Sequence, residues 1–301
     1  MKQLEHVKVL VVGDIMLDKY VVGNVERISP EAPVPIVHVT EEYFTLGGCG
    51  NVVRNIRELG AQVDCLASIG QDQSGINIHI ELGKIGAKHL LVDGSEKTTV
   101  KERIIAGERQ VQMIRIDRET TEKVDSSKAI KTFKERARKN YDMIIVSDYA
   151  KGMITKELMD FLHTQSTDII VDPKPINGFL YSDAFMITPN EKEWGIMKLA
   201  SQYSLKNVKF VLETKGSAGM ILHDMTTSQD YPIQSKPVEV YNVSGAGDTV
   251  VAVMSLCLSM GFVPLQAAII ANHCAAYVVT QAGTTTVPKE IFKEGLDMFR
   301  G

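Results

Sequence analysis

The junction at Asn242-Val243-Ser244-Gly245-Ala246-Gly247-Asp248-Thr249, which runs straight into the apolar stretch Val250 to Met260, constrains this chain more than any other. Gly245 and Gly247 carry no side chain where a backbone must come close to a ligand. The apolar stretch reads as a buried helix, closed by Gly261 and Pro264. The glycines then fall at a helix N-terminus, where unpaired N–H groups and the positive dipole end favour an anion. Asp248 falls in the first turn, where a carboxylate repels a bound phosphate. It makes sense there as a base that takes a proton from a hydroxyl attacking the phosphate. The motif alone also fits a plainer reading, a helix-terminal charge beside a glycine turn, so the rest of the chain must decide.

Elsewhere strands and helices alternate. Val7 to Val12 is a short, largely β-branched run that reads as a buried parallel strand. It ends at Gly13-Asp14, and ligands of open α/β sheets bind outside the carboxyl ends of strands. Asp14 is therefore placed to accept hydrogen bonds from ligand hydroxyls, with a turn residue as the alternative and Asp18 a weaker candidate. Gly47-Gly48-Cys49-Gly50-Asn51 opens a helix over Val52 to Leu59. Asn51 offers a donor and an acceptor to a hydroxyl pair. Cys49 is either an accessible thiol or a small packing residue. Val63 to Ile69 and Ala87 to Val92 read as strands around a helix near Ile76 to Ile85. From Ser126 to Lys139, Ile130, Phe133 and Ala137 share one helical face and the basic residues take the other, solvated face. Four strands follow: Met143 to Ser147, Ile169 to Val171, Ala184 to Thr188 and Val208 to Glu213. Polar clusters end each of them, the last being Thr214-Lys215-Gly216, which predicts one continuous functional edge. A helix near Pro264 to Thr280 and another from Lys289 finish the pattern.

Two strand pairs stand outside this alternation. Tyr20 to Val25 and Val34 to Thr40 flank a proline-stiffened loop, and Thr98 to Ile105 and Gln110 to Ile116 flank Ala106-Gly107-Glu108. These insertions, near 16–40 and 97–117, predict a small β-sheet lid on a single domain spanning 1–301. Their apolar β-branched faces predict pairing between two subunits, hence a homodimer.

Composition narrows the function. With 301 residues, 44% apolar, the chain can bury a large core. A net charge of −4 argues against nucleic-acid and membrane partners. No apolar stretch approaches the ~18 residues that span a bilayer, and the opening strand lacks signal-peptide character. The four cysteines are widely spaced and the seven histidines show no metal-ligand spacing, which fits a cytoplasmic protein without disulfides or zinc.

The Gly-Ala-Gly-Asp stretch resembles the signature of the ribokinase-like (PfkB) carbohydrate kinases. The resemblance narrows with Gly13 to Asp18, Arg27-Ile28-Ser29-Pro30-Glu31-Ala32-Pro33-Val34-Pro35, Ser147-Asp148-Tyr149-Ala150-Lys151-Gly152, Asp172-Pro173-Lys174 and Thr188-Pro189-Asn190. Together these look like the heptose-phosphate kinase branch, similar to the kinase half of the bacterial ADP-heptose synthesis protein, over essentially the whole chain. The resemblance implies a ribokinase-like α/β fold with a mostly parallel central sheet flanked by helices. It implies ATP and Mg2+ as cofactors, and phosphorylation of the 1-hydroxyl of D-glycero-D-manno-heptose 7-phosphate for lipopolysaccharide core synthesis. No His-x-Gly-His motif of a nucleotidyltransferase is present, so a stand-alone kinase is expected.

The resemblance also assigns roles. Asp248 matches the base, and Gly245, Ala246 and Gly247 the anion hole. Asn190 and Glu193 match an Asn-x-x-Glu element near the ATP phosphates, with Glu193 toward the metal. Thr214 and Gly216 match a nucleotide-site loop, Asn272 the closing of the adenine pocket, and Asp14 and Asn51 the sugar-hydroxyl contacts. Arg103 and Lys151 are candidates for the substrate's own phosphate, from charge and placement. Three departures stand out: Gly50 where relatives often have Ala, the Lys215-Gly216 pair, and Asn242 where the pattern has Asp. The last drops a carboxylate from a monovalent-cation site, so weak cation binding is expected. Another sugar or sugar phosphate, and a silent ligand-binding relative, remain alternatives.

Overall fold

The computed structural model describes residues 2–95, 97–107, 111–200, 205, 207–235, 238–281 and 283–299. In chain order the strands are Lys8–Gly13 (β1), Ile15–Ile28 (β2), Pro35–Gly48 (β3), Gln62–Gly70 (β4), Lys88–Ser95 (β5), Val100–Ala106 (β6), Val111–Arg118 (β7), Met143–Ser147 (β8), Ile169–Asp172 (β9), Met186–Ile187 (β10), Phe210–Thr214 (β11), Met220–Asp224 (β12) and Gln229–Ile233 (β13). The helices are Cys49–Leu59 (α1), Gln73–Lys84 (α2), Ser126–Arg136 (α3), Lys156–His163 (α4), Glu191–Leu199 (α5), Ala246–Met260 (α6), Pro264–Val278 (α7) and Lys289–Asp297 (α8).

Alternation along β1 explains why it sits mid-sheet. Val9 and Val11 join one apolar core, with α1, α6, α7 and α8; Leu10 and Val12 join the other, with α3 and α4. A strand buried on both faces has to read as a continuous apolar run. The sheet order is β13-β12-β11-β10-β9-β8-β1-β4-β5. Pairing from β5 across to β11 is parallel, and β12 and β13 add an antiparallel edge. Because β1 pairs with β4 on one side and β8 on the other, the strand order reverses at β1, and its carboxyl end opens onto a crevice.

The expected insertions form a second, four-stranded sheet in the order β3-β2-β6-β7. Each insertion is an antiparallel pair, and a parallel contact between β2 and β6 joins them. Glu108 and Gln110, expected in the turn and at the start of a strand, lie outside the described residues. The sequence reading ended the first pair too early. β2 begins at Ile15, directly after Asp14, and β3 continues through the polar Glu41-Glu42-Tyr43 to Gly48. Cross-strand pairing with β2 holds that polar segment extended. The β12–β13 hairpin also escaped notice, since its polar residues alternate poorly.

On the second sheet Ile28, Val39, Tyr43, Val111, Met113 and Ile114 are exposed. None of the helices among the described residues is long and apolar enough to cross a membrane. Gly50 has a packing reason: a Cβ there would lie 2.9 Å from the Leu46 Cβ.

Candidate functional site

The loop from Asp148 to Met153 organises the edge above β1 and β8. Asp14 Oδ2 accepts from the backbone N–H groups of Tyr149 (2.8 Å) and Lys151 (3.0 Å), and Oδ1 from that of Met153 (3.0 Å). Asp148 accepts from the Ala150 N–H, the Asn177 amide and the Tyr181 hydroxyl. Between them Ala150 and Gly152 adopt φ of 55° and 104°, and a Cβ on Gly152 would overlap the Glu122 carbonyl oxygen. Burial, then the charge of Asp148, pushes the Asp14 carboxyl up to about 6.

Gly245 is the N-cap of α6, in the left-handed region at φ 83°. A side chain there would meet the Asn51 amide at 2.7 Å, so glycine is required twice over. The space that a Cβ would fill at Gly247 is open. Among the described residues nothing accepts from the N–H groups of Gly247 and Asp248, so the first turn of a long buried helix is open to an anion. Asp248 itself is buried. Its Oδ2 accepts from Asn51 Nδ2 (2.8 Å) and its Oδ1 from the Tyr149 hydroxyl (2.9 Å). Burial pushes its carboxyl up to about 6 despite those two hydrogen bonds, while Lys101 pulls it down and Asp18 pushes it up. A carboxyl that titrates there is mostly ionised at neutral pH and still basic enough to accept a proton.

A cavity of about 410 Å3 lies on the outer side of this helix terminus. Thr214, Gly216 and Asn272 line it as expected, and so do Ala246 and Gly247, among apolar Val238, Val240, Val250 and Val279. Asn272 donates to the Gln234 carbonyl. Asn190 lies beside Thr214 through an isolated bridge. It caps α5 in a reciprocal box: its Oδ1 accepts from the Glu193 N–H, and Glu193 Oε2 accepts from its own N–H. Glu193 Oε1 accepts from Lys174 Nζ at 2.5 Å.

The two expected phosphate readers are ion-paired. Arg103 meets Asp18 at 2.5 Å and lies over the Tyr20 ring; Lys151 meets Glu119 at 2.7 Å and lines a small cavity with Asp14, Thr98 and Thr99. Asn51 turns its amide nitrogen to Asp248 rather than outward, and its Oδ1 has no partner among the described residues. Cys49 is buried and packs, so it is no accessible thiol.

Three residues of this site were not singled out from the sequence. Tyr149 bonds to Asp248, and Lys101 lies 5.5 Å from the Tyr149 ring centroid. Lys174 lies on the same ring at 5.6 Å. The signal for Lys101 was available: strand alternation puts it on the face of β6 that carries Arg103.

A buried carboxylate at an open helix N-terminus, beside a cavity and below a second sheet, is an arrangement for moving phosphate onto a hydroxyl. The pfkB family carbohydrate kinase profile matches residues 7–291. This chain belongs to that family. It is a phosphotransferase acting on a sugar hydroxyl. The chain is 38% identical to the bifunctional protein HldE of Desulfatibacillum aliphaticivorans and 37% identical to that of Citrifermentans bemidjiense. Each match covers 96% of this chain but 63% of the relative, so the chain spans about three-fifths of their length. The fold is that of Escherichia coli phosphofructokinase-2 in complex with potassium, at TM-score 0.79 and 16% identity over 98% of this chain and 99% of that one. Ribokinase from Thermotoga maritima matches at TM-score 0.70 and 20% identity, over 97% and 99%. The fold of this kinase is therefore ribokinase-like.

In this kinase Asn242 Oδ1 accepts from the Ser244 N–H at 2.8 Å, which closes a turn just before the helix terminus. Its oxygen serves its own loop, and it carries no charge to offer a cation. Potassium should therefore activate little: exchange for a bulky organic cation at constant ionic strength is expected to change the initial rate by less than roughly tenfold. A larger drop would reveal a working cation site.

Proposed function

We propose that this kinase uses ATP to phosphorylate the 1-hydroxyl of D-glycero-D-manno-heptose 7-phosphate, as a step toward ADP-heptose. The observation that carries the reading is the position of Asp248. It lies between the cavity at the α6 terminus and the cations of the second sheet. The resemblance of Arg27 to Pro35 and Asp148 to Gly152 to the heptose-phosphate branch supports that substrate, as do the relatives at 37–38% identity. In this reading the nucleotide occupies the cavity lined by Thr214, Gly216 and Asn272. The N–H groups at Gly245 to Asp248 then meet the charge that develops on the transferring phosphoryl group. Asp248 takes the proton from the attacking hydroxyl. Asp14 and Asn51 hold the sugar end, Asp14 through its remaining acceptor capacity and Asn51 through its unpartnered Oδ1. The second sheet then acts as a lid on a single domain, and four buried free thiols favour a reducing, cytoplasmic setting.

The carboxyl chemistry around Glu193 fits Mg2+ brought in with a nucleotide. Among the described residues no cluster of three or more His, Cys, Asp or Glu is placed to cage an ion. That suits Mg2+, which takes one or two carboxylates and keeps waters and phosphates. Glu193 would hold it, with Asn190 fixing the carboxylate. When bound, the ion neutralises charge on the phosphates.

Asp248→Asn should keep the fold and nucleotide binding yet lose about 10²–10⁴ in turnover; near-normal turnover would exclude the base. A base works deprotonated, so kcat/KM should fall as pH drops through about 6. Asp14 titrates in the same range, and the measured limb belongs to both groups. Arg103→Ala and Lys151→Ala should each weaken the 7-phosphorylated heptose more than its unphosphorylated analogue, by roughly tenfold to a hundredfold. Equal losses on both would show that neither residue reads the phosphate. The exposed apolar side chains of the second sheet support a homodimer joined there; sedimentation that finds only monomer at assay concentration would dismiss it.

A further inference from the structure

Tyr149 is fixed at three points. Its N–H donates to Asp14 Oδ2, its hydroxyl donates to Asp248 Oδ1, and its ring has two ammonium groups near it, at 5.5 and 5.6 Å from the centroid. Lys174 comes from the loop after β9 and is tied to Glu193. Lys101 comes from β6 of the second sheet and is partly buried. The ring belongs to neither apolar core. An ammonium group close to an aromatic ring is attracted to it, so both cations restrain the ring. We propose that Tyr149 is a positioning residue for Asp248, and that Lys101, from the second sheet, holds Tyr149 in place.

The charges around Asp248 make this consequential. Asp18 on β2, Asp172 at the end of β9 and Cys49 on α1 face it electrostatically; Asp18 favours its protonated form, while burial and the charge of Asp248 push the Asp172 carboxyl up. Asn51, Tyr149 and Lys101 oppose Asp18. Asn51 reaches Asp248 from α1, and Tyr149 from the loop after β8. Lys101 comes from the second sheet, which also carries Asp18, so that sheet brings one charge that holds Asp248 ionised and one that opposes it. The inference rests on Asp248 being the base. It extends that reading by naming the residues that hold the base in place.

The test compares wild type with Tyr149→Phe, Lys101→Met and Lys101→Arg. The first readout is the pH profile of kcat/KM with ATP and D-glycero-D-manno-heptose 7-phosphate. The second is a 13C-carboxyl NMR titration of the free protein, in which the Asp248 signal is the one missing from Asp248→Asn. Tyr149→Phe should move the acid limb and the Asp248 titration upward by about one pH unit or more. Lys101→Met should move both in the same direction, and Lys101→Arg should restore the wild-type position. An unshifted Asp248 in Tyr149→Phe overturns the positioning role, and an unshifted Asp248 in Lys101→Met overturns the role of the second sheet. If wild type does not turn over the heptose phosphate, the substrate reading fails, while the NMR titration still decides this inference.

Discussion

Three carboxylates, Asp14, Asp148 and Asp248, are buried close together at the carboxyl edge of the central sheet, and the local structure answers to their need for hydrogen bonds. A buried charge without partners is among the most expensive features a fold can carry. Asp14 and Asp148 meet that need by taking N–H groups from the loop between Asp148 and Met153. The loop can present so many donors only because Ala150 and Gly152 adopt left-handed backbone conformations. Tyr149 is carried on that loop, and its hydroxyl reaches the third carboxylate. Two acids thus act as scaffold for the residue that reaches the third.

Asp248 and the open helix terminus belong to a single helix. α6 is buried nearly all round between α1 and α7, and such a helix ends rigidly. Its first N–H groups cannot be met by a side chain at Gly245, which has none. Those of Gly247 and Asp248 have no acceptor among the described residues, next to a carboxylate that Asn51 reaches from α1. The site is therefore assembled where two helices of one layer meet the edge of the sheet. The second sheet adds Lys101 and Arg103 to Lys151 and Lys174 of that edge, and brings Asp18 with them.

Ion pairs temper this picture without altering it. Arg103 with Asp18 and Lys151 with Glu119 are partly buried pairs, and each carboxylate keeps its cation oriented at the site. In the proposed function a substrate phosphate would replace these carboxylates, offering more charge and a geometry that guanidinium and ammonium groups match.

Much of this was legible in the sequence, because the signals were local. The apolar run after Asp248, the glycines before it, the polar clusters ending successive strands and the two pairs outside the alternation all report on neighbours in the chain. They placed the sheet and the helix terminus, and the resemblance picked out Thr214, Gly216 and Asn272, which line one cavity beside it. What needed tertiary structure was partnership. Nothing in the chain says that Asn51 faces Asp248 across 197 positions, or that Tyr149 rather than its acidic neighbour Asp148 touches the base. Nor does it say that Arg103 and Lys151 are already paired. Strand and helix are set by periodicity and turn chemistry within a few residues. A hydrogen bond to a buried carboxylate is set by which side chains the packing of distant elements brings within reach, and that geometry exists only in the folded chain.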